Sequence, residues 1–378
     1  MLRVKDIVGW ITEAYPPSLA EDWDRIGLGC GDPDAEVGSV LLAIDPTADV
    51  VAEARRTGAQ LLLTHHPLLL RGLHAVRRDE PKGRVLFDLI EGGIAQLAAH
   101  TNADSAASGV SDALADVLGL IDRRPLQPQP GPALDKVVTF VPPEHVEAVI
   151  DALADAGAGA IGDYDRCAFT SPGTGQFRPL PGAEPFLGDV GELERTPEVR
   201  VELVLPRGRR AGVLRALRAS HPYEEPAFDL LELAAEPSDA GLGRVGRLPE
   251  PLPAREVARR LAAGLPPTAT GARLGGDPDR TIATVAVLGG AGDSLLDDVL
   301  LTDADLYVTS DLRHHPAQDF LARPGAPALV DVPHWAAEWT WLPHAEQMLT
   351  RRASEAGAAL TTTVSTLNTD PWVERFGG

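Results

Sequence analysis

The sequence predicts an α/β protein in which two similar α/β halves form one discontinuous domain, interrupted by an inserted ferredoxin-like α+β domain. Three observations predict it. Short apolar runs alternate with helical stretches near both ends of the chain. A different order of elements, βαββαβ, fills the middle. Proline-rich or polar turns bound that middle on both sides. The expected domains are a first half at 1–127, an insert at 133–235 and a second half at 240–378. At 378 residues, 44% of them hydrophobic, the chain is long enough for two or three domains of roughly 150 residues each.

Residues 1–24 read as an opening helix, because Asp6, Glu13, Glu21 and Asp22 break up the apolar core that a signal peptide needs. Strands are then expected at 40–44, 60–63 and 94–99, and helices at 48–57, 83–91 and 110–118. The prolines of 125–132 are expected to form a linker. Within the insert, strands are expected at 136–141, 160–170, 199–205 and 227–233, and helices at 144–156 and 212–219. Glycine-rich 171–177 lacks a following helix start and so is not a phosphate cradle; it reads as a surface excursion before it reads as a mobile binding loop. A hinge at 236–241 returns the chain to strands at 282–288, 306–309, 328–330 and 360–364, with helices over 294–301, from Pro316 and from His334. Leu61-Leu-Leu-Thr-His-His-Pro67 is echoed by Leu306-Tyr-Val-Thr309 and then His314-His-Pro316. The echo fits an internal duplication and the ordinary look of strand ends equally well.

With 34 basic against 55 acidic residues the net charge is −21, which disfavours a non-specific grip on nucleic acid or an anionic membrane. Only Cys30 and Cys167 occur, too few for a disulfide framework or a cysteine zinc site, so a reducing cytoplasm is expected. No stretch approaches the roughly 18 uncharged apolar residues of a spanning helix, and no membrane is expected. Serine elbows, phosphate loops and dinucleotide fingerprints do not occur either.

The remaining chemistry sits at expected strand ends, where open α/β sheets build their sites. His65 and His66 emerge together after an apolar run, and neighbouring residues of a strand point to opposite sides. One dipeptide can therefore serve two metal ions. His100 and Asp104 follow the next strand; Asp104 reads equally as a ligand or as a helix cap. His334 and Glu338 stand at i and i+4 on one helix face, as ligands suited to zinc, manganese or iron or as a plain surface pair. Asp311 and His315 form a fourth cluster, expected to orient ligands or touch substrate.

Taken in order, Leu63-Thr-His-His-Pro67, His100-Thr-Asn-Ala-Asp104, Thr309-Ser-Asp-Leu-Arg-His-His315 and Asp331-Val-Pro-His-Trp-Ala-Ala-Glu338 resemble the signature of the YbgI/YqfO, or NIF-three-like, family of GTP cyclohydrolase type 2 homologues. Glu21-Asp-Trp-Asp-Arg-Ile-Gly-Leu28 and Gly109-Val-Ser-Asp-Ala-Leu-Ala115 extend the resemblance over nearly the whole chain. It implies that His65, His66, Asp104, His334 and Glu338 bind two divalent ions, zinc, iron or manganese, with Glu338 as the bridge. It also implies a toroidal homohexamer built as two trimers, and an insert similar to PII-like or CutA-like domains. Ser310 stands where the family usually has glycine, Ala337 where it has threonine, and Arg25 where it has asparagine. The presumed ligands survive these changes, whereas the substrate-facing lining differs.

The expected function is a metal-dependent hydrolase or cyclohydrolase acting on a nucleotide. For GTP, water would attack C8 of the guanine ring and formate would leave, with His100 or His315 moving protons. The alternative is a non-catalytic metal-binding scaffold or sensor whose insert binds an effector.

Overall fold

A computed structural model describes residues 1–376. The chain divides into two units, one formed by Met1–Gln129 with the chain from Asp239 onwards, the other by Pro130–Ser238.

The first unit holds two larger sheets. In one, strands run in the order Thr361–Val364, Ser39–Ala43, Leu61–Thr64, Ala95–Ala98 and Gly27–Cys30, the first four parallel and the last antiparallel. Leu61, Leu62 and Leu63 are fully buried, as both faces of a helix-covered parallel sheet require. The helix Ala48–Thr57 before that strand starts where the Thr47 side chain accepts the Val50 N–H, and ends at Gly58 in the left-handed region (φ 70°). In the other sheet the order is Arg273–Gly275, Ala328–Asp331, Leu306–Ser310, Thr281–Ala291, Pro237–Pro253 and Ile121–Pro130, with the second, third and fourth strands parallel. One apolar core joins the two halves through Ile7, Leu63, Leu114, Val285, Val308 and Trp341.

The insert has the order βαββαβ, and its antiparallel sheet runs Phe228–Glu232, Leu134–Val141, Glu194–Pro206, Phe169–Phe177. Counted along the insert this is 4-1-3-2, the ferredoxin-like plan. Val137, Val149, Leu203 and Leu217 fill its core.

Several elements differ from the sequence expectation. The proline-rich stretch taken as a linker is largely the strand Ile121–Pro130, at the edge of its sheet, where a missing N–H costs nothing. The insert's second strand is Phe169–Phe177 instead of 160–170, so the supposed surface excursion at 171–177 is paired with Glu194–Pro206. Its glycines have a packing reason: a Cβ on Gly175 would lie 2.1 Å from Oε2 of Glu198. The helix expected over 294–301 shrinks to Leu296–Val299 behind a short 3-10 turn. The helix from His334 breaks into His334–Trp339 and Leu342–Glu355. The last strand, Thr361–Val364, leaves its own half and pairs in parallel with Ser39–Ala43.

Arg244 is almost wholly buried, and its guanidinium donates to the carbonyls of Ala106, Gly241 and Gly243 and to Asp112. Replacing it with leucine would take the guanidinium from three carbonyls and from Asp112, leaving that carboxylate the Ser108 N–H (3.0 Å) and Arg123 at 3.8 Å. We expect Arg244→Leu to destabilise the first unit by about 3–5 kcal/mol, read by urea unfolding. No helix among the described residues is long and apolar enough to cross a membrane.

Candidate metal centre

Three strand ends converge. His65 and His66 continue the ladder beyond Leu61–Thr64, their N–H groups donating to the carbonyls of Ala43 (3.2 Å) and Ile44 (2.9 Å). The neighbouring strand Ala95–Ala98 leads through His100 into the short helix Thr101–Ser105, which carries Asp104. This turn is tied down by Asn102, whose side chain accepts from the His100 N–H (2.9 Å) and donates to the Tyr15 carbonyl (2.7 Å). From the other sheet, the strand Ala328–Asp331 ends just before the helix His334–Trp339, which presents His334 and Glu338 on one face.

Glu338 lies at the middle of the cluster and is 2% exposed. Its Oε1 is 2.8 Å from Nε2 of His334 and 3.4 Å from Nε2 of His65, and its Oε2 is 3.1 Å from Nε2 of His66. Asp104 Oδ1 lies 3.6 Å from Nε2 of His65. His65 Nδ1 donates to the Ala99 carbonyl (2.8 Å), which fixes the tautomer and turns a bare Nε2 lone pair toward both carboxylates. That nitrogen, Asp104 Oδ1 and Glu338 Oε2 are all buried, and none makes a hydrogen bond of good geometry. Three such buried atoms without a well-formed hydrogen bond are an arrangement that a cation would satisfy.

Each other imidazole is held from behind by a carboxylate. Nδ1 of His66 donates to Asp45 (2.7 Å), that of His334 to Asp311 (2.7 Å) and that of His100 to Asp24 (2.8 Å). This is the outer support that metal-binding histidines use to fix ring orientation and basicity. Asp24 also accepts the Thr101 N–H (3.0 Å) and its hydroxyl. Asp311 sits at φ 57°, an unusual conformation for a residue other than glycine and one that accompanies its aim at His334.

The charges within the cluster balance one another. Burial pulls the His66 imidazole down, but Glu338 and Asp45 outweigh it and lift it to about 10. Glu338, opposed by burial, lifts His334 to about 11. Burial also works against ionised Glu338, yet His334, His66 and His65 hold it well below the usual carboxylate range. Asp104 is pushed up to about 8, first by burial and then by Glu338. The protein's own protons thus neutralise Glu338, the task that divalent cations take over when such a nitrogen and oxygen set is loaded. Ligand atoms of His65, His66 and His100 lie within 4.8 Å of one another, as do those of His66, His334 and Glu338. Each group could hold a cation, and both draw on His66.

The structure brings His65, His66, Asp104, His334 and Glu338 together. His100, expected to move protons, also stands inside the ligand group. Asp311 orients His334 and borders the adjoining cavity. His315 does not join the cluster: it lies exposed at the start of the helix His314–Leu321, its ring against His314. Sequence reasoning missed Asp24 and Asp45 as supports, although both are acids close before or after a strand. It also missed Gly290, in the left-handed region (φ 81°), where a Cβ would lie 2.7 Å from Glu338 Oε1. A cavity of about 720 Å³ opens beside His66 and His334, and Arg273, Trp372 and Arg375 also line it. We expect Asp311→Ala to weaken binding of the cation nearest His334 by roughly 10- to 100-fold, measured by calorimetric titration, with the fold unchanged by circular dichroism.

A family model described as Duf34/NIF3 (NGG1p interacting factor 3) matches residues 2–371. The chain is 52% identical to a Mycobacterium tuberculosis protein named GTP cyclohydrolase 1 type 2 homolog, over 98% of this chain and 97% of that one. A Bacillus subtilis protein of the same name is 40% identical over 83% of this chain and 84% of its own. Among solved structures, a Bacillus cereus protein related to NIF3 is similar at 37% identity and TM-score 0.75, covering 98% of this chain and 99% of that one.

Proposed function

The chain belongs to the Duf34/NIF3 family, and from that membership and the geometry of the buried cluster we propose that it is a dinuclear metal-dependent hydrolase or cyclohydrolase acting on a small polar substrate of nucleotide size. The observation that carries the proposal is the clustering of His65 Nε2, Asp104 Oδ1 and Glu338 Oε2, all buried and none in a hydrogen bond of good geometry. Zinc, iron or manganese bound there would polarise a scissile bond and activate water near neutral pH.

The chain's own residues would divide the work. His65, Asp104 and Glu338 would hold one cation, and His66, His334 and Glu338 the other, with Glu338 shared. His100, whose Nδ1 is fixed by Asp24, keeps Nε2 as the nitrogen able to take up or release a proton. Asp45 and Asp311 keep His66 and His334 oriented. The adjoining cavity has room for a nucleotide. Arg375 offers a guanidinium there for phosphate beside Arg273, whose own guanidinium is paired with Asp331, and Trp372 a ring for a base. The name shared by the relatives makes a purine nucleotide the first substrate to try. Self-assembly into a hexamer of two trimers, with a PII-like insert, belongs to the same proposal and is read by native mass spectrometry.

Elemental analysis of purified protein, followed by a metal-reconstituted nucleotide screen for formate, phosphate or base release, tests the reading. About two metals per chain with metal-dependent turnover is the expected result. Two metals with no turnover on any nucleotide would replace it with the scaffold or sensor, and no metal would end both.

A further inference from the structure

The Pro130–Ser238 unit carries a cavity of its own, about 290 Å³ in volume. One wall is aromatic: the ring of Tyr223 lies with its centroid 5.8 Å from that of Phe177 and 6.2 Å from that of Phe186. Tyr223 is mounted rigidly. Nε2–H of His221 donates to the Phe140 carbonyl (3.0 Å), and Nδ1 of the same ring accepts the Tyr223 N–H (3.1 Å). Burial pulls the His221 imidazole down, so the ring is neutral and keeps this tautomer.

The charged part of the lining is mainly acidic. Glu198, Glu224 and Glu225 border the cavity against one cationic residue, Arg178. Glu224 is partly engaged, accepting the Glu184 N–H (3.0 Å). The Tyr223 hydroxyl is buried and faces Glu198 without a hydrogen bond of good geometry; burial first, and then Glu198, Glu144 and Glu194, hold it protonated. Glu198 owes its place to Gly175, since any side chain there would collide with its carboxylate.

Aromatic faces and carboxylates around one small cavity disfavour anions, and a neutral guest would leave the Glu198 charge uncompensated. A metal ion is disfavoured, because among the described residues these carboxylates do not form a group of three whose ligand atoms lie within 4.8 Å of one another. We propose that this cavity binds a small organic cation, an amine or a quaternary ammonium, with its charge directed to Glu198 and its carbon surface against Phe177, Phe186 and Tyr223. The site is separate from the metal centre and does not depend on what that centre does.

The test is calorimetric titration of the full chain with choline and with 3,3-dimethylbutan-1-ol, its uncharged counterpart of the same shape. Choline should bind about tenfold more tightly or better. Glu198→Gln should abolish that preference, and Phe186→Ala, which shortens a half-exposed ring, should weaken choline several-fold with the melting temperature unchanged. Glu338→Ala should leave choline binding as it was. Equal affinity for the two probes, no binding of choline, or an unaltered preference in Glu198→Gln would overturn the proposal, and the comparison of probes on the unmodified protein does so without relying on any variant.

Discussion

Glu338→Ala removes the one side chain that touches His65, His66 and His334 together, and the protein that results will retain less than one metal per chain. Losing an outer support of a metal ligand costs roughly 10- to 100-fold in affinity; losing a carboxylate that two cations share on the proposed assignment should cost more than 100-fold for each. The second effect is on charge. His66 and His334 owe their raised basicity chiefly to Glu338, opposed by burial, so the variant returns both imidazoles toward neutrality and the pocket stays foldable without its anion. Elemental analysis and calorimetric titration, with circular dichroism as the control for folding, separate loss of metal from loss of structure. Near-normal metal content would show that Glu338 is a structural acid and remove the shared-ligand assignment.

Gly290→Ala should be nearly as damaging although the residue has no side chain to contribute. Its backbone is in the left-handed region, and its missing Cβ is the space that Glu338 Oε1 occupies, 2.7 Å from where a methyl would stand; His334 Nε2 would be 3.5 Å away. Alanine there carries a conformational cost of about 1–3 kcal/mol and also displaces Glu338. The displacement matters more, since the shared carboxylate must reach three imidazoles at once. We expect metal affinity to fall at least tenfold while the melting temperature drops by only a few degrees. Retained affinity would mean that the strand carrying Gly290 yields more easily than its pairing with Leu306–Ser310 suggests.

Much of this was legible in the residue order. Buried parallel strands announce themselves as unbroken apolar runs, and Leu61-Leu62-Leu63 leads directly to His65 and His66. The i, i+4 spacing of His334 and Glu338 survives because the helix holds for that one turn. What stayed hidden depends on contacts across the fold. Asp45 and Asp24 reach their imidazoles from segments far off in the chain, and an isolated acid near a strand end has many ordinary uses. Gly290 lies at a register shift between Val287 and Ala291, which no local pattern reveals. The edge strands misled for opposite reasons: prolines disguised Ile121–Pro130 as a linker, and glycines disguised Phe169–Phe177 as a loop.

The crossing of Thr361–Val364 into the sheet begun by Ser39–Ala43 sets an order of events during translation. When His65 and His66 leave the ribosome, the flank of Ser39–Ala43 has no neighbour on that side, and the helix bearing His334 and Glu338 has not been made. At about 5–20 residues per second the wait is on the order of tens of seconds. Throughout it the nascent chain holds two adjacent histidines and an aspartate without their glutamate. Synthesis of the final strand therefore closes the sheet last, and a truncation between Glu338 and Thr361 leaves an exposed strand edge in a chain that already carries every candidate ligand.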